Sequence, residues 1–97
     1  MNEVVIGTER QFEQLPAEVQ IERGYYYLIK DNEDSYRLVS RFCPHAGFLV
    51  EAEGDEFYCP MHGWAFDLKT GACLNVSDRG LRMYEVYVRD GELVALI

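Results

Sequence analysis

Two stretches of this chain pair a cysteine with a histidine at close spacing: Cys43-Pro44-His45 and Cys59-Pro60-Met61-His62. A glycine follows each pair, at Gly47 and Gly63. Thiolate and neutral imidazole are the side chains that best hold soft and borderline transition metals, so Cys43, His45, Cys59 and His62 form a candidate metal-ligand set. A structural zinc tetrahedron would accept these four donors. It matches poorly, however, because zinc knuckles tend to use two ligands of one kind, and here each loop mixes the two.

Loops can fix ligands only if stiff elements hold their ends, and the surrounding sequence reads as short strands. Val4–Ile6 is a β-branched run, and Val19 and Ile21 alternate with polar residues as in a half-buried strand. Tyr25-Tyr26-Tyr27-Leu28-Ile29 is apolar throughout, as expected of a strand covered on both faces. The cluster Asp31–Asp34 predicts a turn, and Tyr36–Phe42 returns from it to deliver the chain into Cys43. Between the loops, Phe48–Val50 and Phe57–Tyr58 flank the acidic segment Glu51–Glu56, read as a solvated hairpin. Ala65–Asp67 and Ala72–Leu74 predict a further pair around Gly71, and Asp90-Gly91 is a tight turn between Tyr84–Val88 and Leu93–Ile97. Helix is allowed at one place, where Thr8 and Gln11 could form a capping box ahead of Pro16. The fold class expected is all-β, an antiparallel sandwich or barrel. One domain, 1–97, is expected, with the metal-binding part at about 42–76.

Composition narrows the partners. With 17 acidic and 9 basic residues the formal net charge is −8, which disfavours nucleic acid and anionic membranes. No apolar run approaches a membrane span, and Met1–Gly7 does not read as a signal peptide. Three cysteines do not make a disulfide framework, so a reducing, cytoplasmic setting is expected. Cys73 reads as a small packing residue.

The spacing C-x-H, then C-x-x-H, resembles the Rieske family, in which two histidines replace two cysteines on one iron of a two-iron cluster. Gly63-Trp64-Ala65-Phe66-Asp67, Lys69-Thr70-Gly71 and the Leu81–Gly91 series are also similar to small Rieske proteins. The resemblance implies a Rieske-like β fold with a small cluster-binding subdomain formed by two loops. It also implies one [2Fe-2S] cluster per chain, with Cys43 and Cys59 on one iron and His45 and His62 on the other. The spacer from His45 to Cys59 is 13 residues, slightly short for the family, and Asn75–Gly80 lacks the proline often found in its third loop.

By the same resemblance, the positions that form a disulfide in Rieske proteins of respiratory complexes correspond to Phe48 and Met61. The hydroxyl donors of those proteins correspond to Trp64 and Phe66. Fewer donors to cluster sulfur and an acidic chain both disfavour reduction, placing the potential low, on the order of −150 to −100 mV. Both histidines of the chain are assigned to the cluster, so none remains for the mononuclear iron of a Rieske oxygenase. The implied role is an electron carrier rather than an enzyme, with a flavin-dependent reductase as donor and a terminal oxygenase or other redox enzyme as acceptor. The alternatives are a small subunit of a larger oxidoreductase, such as nitrite reductase, and a zinc-binding interaction module. Phe48, Met61 and Trp64 are the expected apolar rim, and Glu51, Glu53, Asp55 and Glu56 could steer a basic partner.

Overall fold

Strand chemistry dominates the computed structural model, which describes residues 2–44, 48–61, 63–76 and 78–97. The strands are β1 (Glu3–Thr8), β2 (Ala17–Ile21), β3 (Gly24–Lys30), β4 (Tyr36–Ser40), β5 (Glu51–Glu53), β6 (Glu56–Tyr58), β7 (Ala65–Asp67), β8 (Met83–Arg89) and β9 (Glu92–Leu96). They form a six-stranded sheet in the order β1-β9-β8-β4-β3-β2 and a three-stranded sheet in the order β5-β6-β7. Every pairing is antiparallel. No helix among the described residues is long and apolar enough to cross a membrane.

The period of two along β3 and β4 explains how the sheets are layered. Leu28 and Leu38 face one core with Val86, Leu93 and Ala95, backed by Phe12, Leu15 and Val19. Tyr27, Ile29 and Val39 face the other way, into a second core with Val50, Phe57, Phe66, Trp64 and Leu81. The expectation that the β3 run is covered on both faces therefore holds from Tyr27 onward. Phe57 and Phe66 are fully buried, each contributing roughly 1.5–3 kcal/mol by its burial. Tyr27 stacks on Phe57 at 5.2 Å between ring centres. This second core is what fastens the small sheet to the large one.

Turn chemistry sets the registers. Asp31 Oδ1 accepts the backbone N–H groups of Glu33 and Ser35 at 2.9 and 3.0 Å, closing the β3–β4 turn. Asp90 and Gly91, at φ 53° and 78°, make the tight β8–β9 hairpin. The permitted helix is a single 3-10 turn, Glu9–Phe12. Thr8 N–H donates to Gln11 Oε1 at 2.7 Å, one half of the anticipated capping box.

Two local expectations change. β4 ends at Ser40 rather than Phe42, because Phe42 pairs instead with Leu49 across the first candidate loop. The predicted return strand at Ala72–Leu74 is reduced to one bridge, between Phe66 and Cys73. In the predicted arm Tyr84–Val88 only Val86 is buried, while Val88 is 45% exposed because β8 by then runs beyond its pairing with β4.

Candidate metal centre

The small sheet presents both candidate loops at one end. The first leaves β4 through Arg41 and Phe42, and the Phe42–Leu49 bridge pins its base. Cys43 N–H donates to Phe48 C=O at 2.8 Å, and Val50 N–H donates to Arg41 C=O at 2.7 Å. The second loop leaves β6 at Cys59 and re-enters β7 at Ala65. Cys59 N–H donates to Trp64 C=O at 2.8 Å, and Gly63 N–H donates to Cys59 C=O at 3.0 Å. Each loop is thus closed in the same way, by a cysteine N–H bonded to the carbonyl five residues on. Gly63 has φ 73°, a left-handed turn that any side chain would disfavour. Its N–H is engaged by the Cys59 carbonyl, and the residue is glycine for its backbone angle.

Cys43 and Cys59 are 2% and 0% exposed and share one contiguous core with Tyr27, Val50, Phe57 and Trp64. His45 and His62, the predicted imidazole ligands, lie outside the described residues. Two thiols held in an apolar core, each at the base of a clamped loop, suit a soft metal centre that neutralises thiolate charge away from water. As far as the sulfur donors extend, the residues fit an iron–sulfur group. Among the described residues, no group of three or more His, Cys, Asp or Glu is arranged to hold a metal.

Arg41 ties this region to the frame. Its side chain is 8% exposed, and Nε–H donates to Val50 C=O at 3.0 Å. Nη1 and Nη2 bond Glu18 on β2 at 2.7 Å and Glu51 on β5 at 3.1 Å. The guanidinium also lies 4.7 Å from the centre of the Tyr27 ring. A single arginine therefore links both sheets two residues ahead of Cys43. Burial pushes the Tyr27 phenol above its usual pKa, against the opposing pull of the Ala52 N–H and Arg41. Burial likewise raises Tyr26, which helps line an open groove of about 430 Å³ beside Cys43 with Phe42, Pro44, Arg82 and Tyr84.

A third loop, following Cys73, meets the second. Asn75 Nδ2 donates to Gly63 C=O at 2.9 Å, while Ala65 N–H donates to Asn75 Oδ1 at 3.1 Å. The base of this loop is set by Gly80, where an added Cβ would stand 2.7 Å from the carbonyl oxygen of Gly71. Leu81 N–H donates to that same carbonyl at 2.8 Å.

The expected apolar rim divides. Phe48 and Met61 are 43% and 56% exposed, whereas Trp64 is buried beneath the loops, with Arg79 5.9 Å from its ring centre. Sequence reasoning missed Phe42, Leu74 and Val76, which are also exposed on the neighbouring loops. Val76 lies in a segment of turn character, whereas Phe42 and Leu74 end the predicted strands Tyr36–Phe42 and Ala72–Leu74 and so did not read as rim. The acidic residues separate too. Glu51 bonds Arg41, while Glu53, Asp55 and Glu56 gather at the far end of the β5–β6 hairpin. Asp55 is four residues of near-extended chain from Cys59, about 13 Å.

Comparison with known proteins agrees with this architecture. The family profile described as the Rieske [2Fe-2S] domain matches residues 2–85. The 5,5'-dehydrodivanillate O-demethylase oxygenase subunit of Sphingobium sp. (strain NBRC 103272 / SYK-6) is 39% identical over 74 residues. That match covers 70% of this chain, and the chain spans only 17% of that curated relative. Among solved structures, the ferredoxin of carbazole 1,9a-dioxygenase from Nocardioides aromaticivorans IC177 aligns with a TM-score of 0.66 and 26% identity, covering 98% of this chain and 97% of its own. The cyanobacterial plasma membrane Rieske protein PetC3 from Synechocystis PCC 6803 aligns with a TM-score of 0.78 and 24% identity, covering 97% and 99%. At that identity the second likeness speaks for the fold alone.

Proposed function

The chain belongs to the Rieske [2Fe-2S] domain family, and on that premise we propose that it is a one-electron carrier for an oxygenase system. In this reading Cys43 and Cys59 hold one iron of the Rieske-type [2Fe-2S] cluster, and His45 and His62 hold the other. The observation that carries it is the matched pair of clamped loops, which bring two buried cysteines into one core. When bound, the cluster supplies reversible one-electron transfer.

The chain's own residues account for the rest. Val50, Phe57 and Trp64 keep water from the thiol ligands, because each is at most 8% exposed. Phe48 and Met61 offer exposed apolar surface next to the ligand loops, suited to brief contact with a redox partner. The donor would be a flavin-dependent reductase and the acceptor a terminal oxygenase. Likeness over nearly full length to the ferredoxin of carbazole 1,9a-dioxygenase supports the oxygenase side of that pairing. The potential would lie near the low end of the Rieske range, since Trp64 and Phe66 carry no hydroxyl and the net charge is −8. The chain would work in the cytoplasm as one domain, 1–97, and would not itself catalyse oxygenation.

A second reading makes it the Rieske component of a larger oxidoreductase, favoured by the 39% identity to part of an oxygenase subunit. The two readings separate on purification. A carrier elutes alone and exchanges electrons with added reductase and oxygenase, whereas a subunit elutes in a stable complex. The ligand assignment is tested by iron and acid-labile sulfide analysis with electron paramagnetic resonance of the dithionite-reduced protein. Two irons, two sulfides and an average g below that of all-cysteine centres are expected. A colourless zinc protein would refute the reading, and a potential well above zero would refute its low-potential part.

A further inference from the structure

The backbone from Gly63 to Ala65 is held at nearly every polar group. Gly63 N–H bonds Cys59 C=O, and Trp64 C=O accepts from Cys59 N–H. Ala65 C=O accepts from Leu74 N–H at 2.8 Å. The remaining two groups named above, Gly63 C=O and Ala65 N–H, both go to one side chain, that of Asn75, at 2.9 and 3.1 Å. Asn75 therefore brackets Trp64 from both sides across a separation of ten to twelve residues in sequence. Cys73 Sγ–H points to the same amide oxygen at 3.8 Å.

A planar amide is the one side-chain group of this length that both donates and accepts at fixed spacing. Aspartate would keep the acceptor for Ala65 but set a second oxygen against the Gly63 carbonyl. Leucine would match the shape and lose both bonds. Glutamine is one methylene too long for the same pair.

We propose that Asn75 is a positioning residue for the second ligand loop. It acts through the Gly63–Ala65 backbone, not by touching the cofactor, and fixes the segment that carries Cys59 and, in sequence, His62. The proposal rests on the reading that this loop holds the cluster. It gives the third loop, which lacks a proline between Asn75 and Gly80, a means of locking the second in place by hydrogen bonds instead.

The test compares the intact holoprotein with N75D and N75L. One readout is independent of the cluster: hydrogen–deuterium exchange of the peptide 59–67, with the β8–β9 peptide 83–96 as internal control. Loss of both bonds should speed exchange at 59–67 about tenfold in N75L and less in N75D, leaving 83–96 unchanged. The second readout is the rate of iron release to a chelator, expected to rise about tenfold in N75L, with a broadened resonance spectrum of the reduced centre. If N75L fails to accumulate, N75D alone decides between a measurable rise and none. Wild-type exchange, iron release and spectrum in the variants would overturn the proposal. A wild-type protein without iron and sulfide would instead sink the functional reading, while the exchange comparison would still test the clamp.

Discussion

Replacing Arg41 with methionine should loosen the small sheet from the large one while leaving the β8–β9 hairpin intact. The side chain is 8% exposed and engages three acceptors, the Val50 carbonyl at 3.0 Å, Glu18 at 2.7 Å and Glu51 at 3.1 Å. Glu18 and Glu51 are 72% and 49% exposed, so both carboxylates rehydrate when the guanidinium goes. Each pair is accordingly discounted to about 0.5–1 kcal/mol. The Val50 carbonyl belongs to a residue that is 0% exposed, and a buried acceptor deprived of its donor costs about 1–3 kcal/mol. Loss of the cation over Tyr27 adds roughly 0.5–1 kcal/mol. The total is about 2.5–6 kcal/mol, and its lower end alone lowers the melting temperature by roughly 10–20 °C in a domain of this size. Calorimetry measures the shift, and hydrogen exchange locates it in β5–β7. Lysine at the same position should recover only part of the loss, because it retains the charge and lacks the fork that reaches three acceptors at once. A loss under 1 kcal/mol for methionine, or full recovery by lysine, would refute the argument that the fork joins the sheets.

Two further outcomes follow from the turns and the loop base. Hydrogen bonds from the Ser35 N–H and the Arg37 side chain hold the Asp31 carboxyl below its usual pKa, so its contribution to stability is complete above the unfolded value near pH 4 and is lost as pH falls toward the folded one. Thermal melts of Asp31→Asn between pH 5 and pH 2 should therefore vary less with pH than wild type, and parallel curves would contradict the assignment. Gly80→Ala forces Cβ to within 2.7 Å of a backbone oxygen and should cost about 1–3 kcal/mol in chemical denaturation, whereas Gly63→Ala, whose Cβ meets no atom of the described residues within 4 Å, should cost only the left-handed penalty of about 1–2 kcal/mol. Asparagine at position 63 should recover part of that loss, while at position 80 it should not, since the obstruction there is steric.

What could be read from the chain was whatever is local. Asp90-Gly91 announced its hairpin because a two-residue turn demands positive φ, and both residues have it. The run Tyr25–Ile29 announced a strand covered on two faces, and its buried half divides between the two cores. The cysteine–histidine spacings pointed to the two loops, although the histidines themselves fall outside the described residues. What could not be read is whatever joins distant segments. Nothing around Arg41 indicates that its partners are Glu18 and Glu51, 23 residues back and 10 ahead. Nothing near Asn75 points to Gly63 and Ala65, because an asparagine in a polar stretch reads as a turn residue. The acidic segment divides for a related reason. Composition grouped Glu51 to Glu56 together, but the hairpin carried three of the acids away from the candidate loops and Arg41 engaged the fourth.

The adjacency of β4 and β8 has a consequence for how such a protein can vary. Ser40 N–H donates to Arg82 C=O at 2.8 Å, so the chain departs from the frame and returns to it through a single doorway. Everything between, including both candidate loops and the third loop, is a cartridge slotted into a scaffold made from residues 2–40 and 82–97. Lengthening or trimming the β5–β6 hairpin changes the cartridge without shifting any register of the scaffold. Scaffold and cartridge are thus separate pieces of the chain, and the side chain of residue 41 grips both.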